Sequence, residues 1–65
     1  MKRYYAFPGA RSFGGRPVAF PPEVSRLVEA TGATAREGKV LLREVRPVDC
    51  PAHREWIRAN DLECA

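Results

Sequence analysis

Five residues that interrupt regular structure, Pro8, Gly9, Gly14, Gly15 and Pro17, stand between positions 8 and 17. Proline removes a backbone donor and fixes φ, and glycine weakens a helix, so no helix runs through the first third of the chain. That third also carries all of the net charge. Residues 1–22 hold Lys2, Arg3, Arg11 and Arg16 with no acid, whereas residues 23–65 hold seven bases against eight acids. Five of the six aromatic residues, Tyr4, Tyr5, Phe7, Phe13 and Phe20, lie there too. The segment 1–15 therefore reads as an extended, basic, aromatic arm, and 16–65 as the folded domain.

A chain of 65 residues has room for one domain with a thin core. It leaves little space for a deep pocket, since ligand pockets need about 300 Å³ or more, and an enzyme is not expected. Apolar residues make up 45% of the chain and charged residues 29%, which argues for a folded protein over a disordered one. No apolar run nears the roughly 18 residues of a membrane span, and the basic start is not followed by the apolar stretch of a secretory signal. With only Cys50 and Cys64, the chain is no disulfide scaffold. The expected location is the cytoplasm, away from membranes.

Past the arm, Gly15 to Phe20 reads as a short edge strand with Val18 and Phe20 on one face, stopped by Pro21-Pro22. The next stretch is ambiguous. Pro22 suits a first helical position and Val24, Leu27 and Val28 share a helical face, yet Thr31 and Thr34 suit a strand. The reading adopted is a short helix over 22–27 and a strand over 28–34. Ala35 to Lys39 signals a hairpin in which Gly38 takes a positive φ and forms a bulge. In the following strand, 39–45, Val40 and Leu42 share one face and Leu41 and Val45 the other, so both faces are covered. A loop over 47–53, a strand over 54–59 and a single turn at Asn60–Glu63 complete the chain, with no internal repeat.

The run Gly38-Lys39-Val40-Leu41-Leu42-Arg43-Glu44-Val45, a loop, then Glu55-Trp56-Ile57-Arg58-Ala59-Asn60-Asp61-Leu62-Glu63 resembles the closing half of SH3-like β-barrels. In those modules a tryptophan-bearing strand leads into a short A-x-D-L turn. The resemblance spans residues 15–63 and implies a mainly β fold. That fold is a small barrel of four to five antiparallel strands with at most one short helix, opened by the strand from Gly15. SH3-like barrels serve ribosome-associated proteins, transcription proteins, accessory subunits and peptide adaptors, so the fold does not give the function. This chain departs from the peptide adaptors in having no acidic, aromatic-lined loop.

The arm is the candidate site. Lys2, Arg3, Arg11 and Arg16 suit phosphates, and Tyr4, Tyr5 and Phe13 suit stacking on unpaired bases. The plainer alternative is that these aromatics cover a face of the small barrel. Phe7 and Trp56 are candidate interface residues, although a tryptophan on a strand also packs a barrel end. Cys50 and His53 have ligand-like spacing with Cys64 as a possible third, but a structural zinc takes four ligands, so no metal or cofactor is expected. A disulfide between the cysteines, or two free thiols, are the other options. His53 has no nucleophile in context, so no catalytic residue is assigned. The expected function is a non-catalytic, nucleic-acid-associated module. The alternative is an accessory subunit or inhibitor that docks on a larger protein assembly by its arm and sheet edge. A homodimer that completes the thin core is a third possibility.

Overall fold

The computed structural model describes residues 2–18 and 25–65. The described chain is mainly β: strand β1 (Arg3–Ala6), a 3-10 turn η1 (Phe13–Gly15), β2 (Arg26–Glu37), β3 (Val40–Pro47), β4 (Glu55–Arg58), a second 3-10 turn η2 (Ala59–Asp61) and β5 (Leu62–Cys64). The strands form one antiparallel sheet in the order β4-β3-β2-β1-β5, so the first strand lies inside the sheet.

Two local signals explain the meander from β2 to β4. The β2–β3 hairpin closes on the two residues Gly38 and Lys39, with Glu37 opposite Val40. Gly38 has φ +61°, at the first turn position, where a type II′ hairpin turn calls for glycine. The expected bulge is not at Gly38. It lies within β2, where register passes from Ala30–Val45 to Thr34–Arg43, so that Thr31, Gly32 and Ala33 face Glu44 alone. Gly32 takes φ +100° there. The Thr31 hydroxyl donates to Glu44 Oε1 at 2.8 Å and accepts from the Ala33 N–H at 3.3 Å, filling the gap in the ladder. Such a bulge bends a strand and increases its twist, which is how a 12-residue strand curls in so small a sheet.

The register sorts side chains onto two faces. On one, Tyr4, Ala6, Val28, Val45 and Ile57 form the core with Ala10, and Val18, Ala30 and Leu62 pack against it. Leu42 points to the other face and is also fully buried. The strand over Val40–Pro47 is thus covered on both sides, as its sequence pattern suggests. Among the described residues no polar or charged residue is buried.

The start of the chain corrects the sequence reading. Residues 3–6, expected in the arm, form β1, paired with β2 on one side and β5 on the other. Their burial alternates, with Tyr4 and Ala6 inward and Arg3 and Tyr5 outward, a strand pattern masked by the nearby Pro8 and Gly9. The opening strand expected from Gly15 is not formed over 15–18. Gly15 ends η1, and Pro17, lacking an N–H, makes only an isolated bridge with Arg11. Residues 19 and 20 of that expectation lie outside the described residues, as do 22–24 of the expected helix. Of the rest of that helix, Arg26 and Leu27 already belong to β2. The strand expected over 28–34 is present and runs from Arg26 to Glu37.

The segment after β1 crosses to the far edge of the sheet. The Phe7 N–H donates to the Asp61 carbonyl at 2.9 Å, and the Arg58 N–H donates to the Arg11 carbonyl at 2.9 Å. These bonds tie residues 7–11 to the end of β4 and to η2. They fix the loop that carries the candidate site.

Candidate functional site

The structure divides the expected site in two. Lys2, Arg3, Tyr4 and Tyr5 are held in or beside β1 and are not a free arm. Arg3 Nε donates to Glu29 Oε2 at 3.2 Å, and Arg46 Nε lies 3.6 Å from the other oxygen of the same carboxylate. Tyr4 is only 7% exposed. Lys2 Nζ sits 5.4 Å and Arg43 Cζ 5.8 Å from the centre of its ring, so Tyr4 is a core residue contacted by cations and has no open face for a base. The Lys2 ammonium is held above its ordinary value of 10.5, first by a hydrogen bond with Cys64 and next by electrostatic attraction to the same side chain. Tyr5 and Phe7 are exposed, at 44% and 41%. Tyr5 lies opposite Leu27.

Arg11, Phe13 and Arg16 are brought together elsewhere. Three short backbone bonds shape their loop: Ser12 N–H to Arg16 O at 2.7 Å, Gly15 N–H to Ser12 O at 3.2 Å and Arg16 N–H to Phe13 O at 3.1 Å. Gly14 and Gly15 take φ of +63° and +73°, which lets so tight a turn form. The loop is docked on the sheet at three points. The Gly14 N–H donates to both oxygens of Glu37, at 2.8 and 3.0 Å. The Phe13 ring packs on Trp56 at 5.7 Å with the planes tilted by 52°. The Arg11 N–H donates to Asp61 Oδ2 at 2.9 Å. Glu37, Trp56 and Arg58 share the Leu42 face of the sheet, and the loop covers that face.

Docking sets the electrostatics. Glu37 and Asp61 each take a backbone N–H of the loop, while Arg3, Arg26, Arg46, Arg54 and His53 are paired with carboxylates elsewhere. Among the described residues, no carboxylate is in ion-pair contact with Arg11, Arg16, Lys39 or Arg58. Arg11 Nη1 donates to the Gly15 carbonyl at 3.3 Å. A Cβ placed on Gly15 would lie 3.5 Å from Arg58 Nη2, so both guanidinium groups converge on this residue. Arg58 Nε is buried and has no hydrogen-bond partner among the described residues.

Beside Arg58, between the β2–β3 turn and η2, runs a cleft of about 460 Å³ that also includes Lys39, Asn60 and Asp61. It is larger than expected of so short a chain. The sequence reading missed Lys39 and Arg58. Arg58 stands three residues from Glu55, and Glu55 contacts His53 at 3.2 Å. Cys50 and Cys64 are exposed free thiols. Among the described residues, no three metal-ligating side chains cluster, and no helix is long and apolar enough to cross a membrane.

No protein-family model, curated protein or solved structure matches the chain.

Proposed function

We propose that the protein is a non-catalytic binding module of the SH3-like barrel type, and that it holds nucleic acid on the docked loop and not on a free arm. Two features support the barrel reading: η2 on Ala59-Asn60-Asp61 joins the two edge strands β4 and β5 directly, and the last strand returns to pair with the first. The observation that carries the function is the set of cations with no ion-pair partner among the described residues, Arg11, Arg16, Lys39 and Arg58, around the half-buried Phe13–Trp56 pair. Phosphates satisfy such cations, with release of counterions supplying the affinity. Two exposed thiols suit a reducing compartment, in keeping with the cytoplasm.

The test is a titration of Trp56 fluorescence with single- and double-stranded DNA and RNA at low and physiological salt. Binding should weaken steeply with salt. The double variant Arg11→Ala with Arg16→Ala should lower the slope of log K against log salt by about 1.4–1.8, two phosphate contacts' worth. Absence of binding at low salt overturns the proposal.

Tyr5 and Phe7 favour a second reading, docking on a protein partner, because exposed aromatics anchor protein interfaces. Phe7→Ser would then abolish a partner interaction that Arg11→Ala leaves intact. Sedimentation as a strict monomer at high concentration would exclude a homodimer as that partner.

A further inference from the structure

The cleft between the β2–β3 turn and η2 has the size and chemistry of a single nucleotide unit. At about 460 Å³ it falls within the range of small-ligand sites. Lys39 and Arg58 stand on its walls and Asn60 beside them. Arg58 carries its charge with Nε buried and without a hydrogen-bond partner among the described residues, its Nη2 against Gly15, where Arg11 Nη1 also arrives. A half-buried guanidinium with its Nε cut off from solvent, next to a second cation, is an arrangement that a bound anion offsets. Among the described residues lining the cleft Asp61 is the one carboxylate, and its Oδ2 already accepts from the Arg11 N–H, so cations outnumber it. Asn60 is exposed and offers both a donor and an acceptor, which suits a base edge or a sugar hydroxyl.

We infer that this cleft seats one nucleotide of a single-stranded chain, with its phosphate on Lys39 and Arg58 and its base or sugar beside Asn60. The inference rests on the nucleic-acid reading and adds strand preference and a seat. A duplex holds its bases inside and its phosphates on a convex surface, so it cannot place a whole nucleotide in a concave cleft.

The test uses the full chain, a hexathymidylate and a DNA duplex of the same length, followed by backbone amide shifts. Hexathymidylate should shift the Asn60 and Asp61 amides and bind more tightly than the duplex. Lys39→Gln, an exposed turn substitution that leaves the fold intact by circular dichroism, should weaken hexathymidylate binding about tenfold at low salt. It should also erase the Asn60 shift. If Lys39→Gln and Arg58→Gln bind normally while the Arg11→Ala, Arg16→Ala variant does not, the cleft assignment fails and the broader reading stands. Equal affinity for the duplex with the same shifts overturns the single-strand seat. Silence of every amide toward both probes overturns the seat and the broader reading together.

Discussion

The outward face of the sheet treats charge in two opposite ways at its two ends. Near the start of β1, Glu29 forms ion pairs with two guanidinium groups, Arg3 at 3.2 Å and Arg46 at 3.6 Å, one from each neighbouring strand. Near the β2–β3 turn, Arg11 and Arg58 converge on Gly15, and the local acids are turned toward backbone N–H groups. Both ends contain Arg and Asp or Glu in similar mixture. What differs is the competitor for the carboxylate. A flat cross-strand site offers it only other side chains, whereas a docked loop offers backbone N–H groups that take the carboxylate instead. The loop therefore takes up the acids, and among the described residues Arg11 and Arg58 are left without an ion-pair partner.

The largest way to break this comparison is to remove what holds both ends in place. Ile57 is fully buried opposite Arg43. Ile57→Ala should cost about 2–5 kcal/mol, most of the stability such a small domain commands. Urea titration should show a midpoint near zero denaturant, and both ends should lose order together.

A smaller and sharper break is Glu37→Gln, which keeps the shape and removes the charge from the bond that anchors Gly14. The expected cost is about 1–2 kcal/mol. Faster hydrogen exchange at the Gly14 amide, with no change at the Arg3–Glu29 end, is the outcome that separates the two regions.

Glu29→Gln should have the least effect. Surface pairs of this kind contribute about 0–1 kcal/mol, so the thermal midpoint should hardly move. The substitution frees Arg3 and Arg46, which makes it a control for charge alone. Oligonucleotide affinity should rise only slightly, and the Asn60 amide shift should stay as it was. A gain as large as the loss from Arg11→Ala with Arg16→Ala would mean that position on the sheet does not matter.

The sequence made the β2–β3 hairpin legible because Gly38 acts on its immediate neighbours. The double covering of β3 was legible because Leu42 and Val45 stand on opposite sides of one strand. The turn expected over Asn60–Glu63 was legible in its first half only, since Leu62 and Glu63 belong to β5. β1 was not. Its alternation runs over only four residues, and the basic, aromatic composition pointed to a solvated arm. Of the expected site, Arg11, Phe13 and Arg16 are gathered on the docked loop, and Tyr4 is claimed by the core. Lys39 and Arg58 were hidden because their surroundings come from distant chain segments. Gly14 meets a carboxylate 23 residues away and Arg11 one that is 50 residues away. No local pattern encodes such meetings.

The irregularity at Thr31–Ala33 has a consequence for how the gene can change length. Three residues of β2 stand where one would do, a surplus of two. Because an even surplus preserves which side each later residue faces, Glu37 emerges on the loop side, in phase with Glu29. Losing a single residue there would turn Ala35 and Glu37 over, and Gly14 would find no carboxylate. Losing two would straighten the strand yet leave every later side chain on its proper face. Length variation in this segment should therefore be tolerated in pairs and rejected in ones.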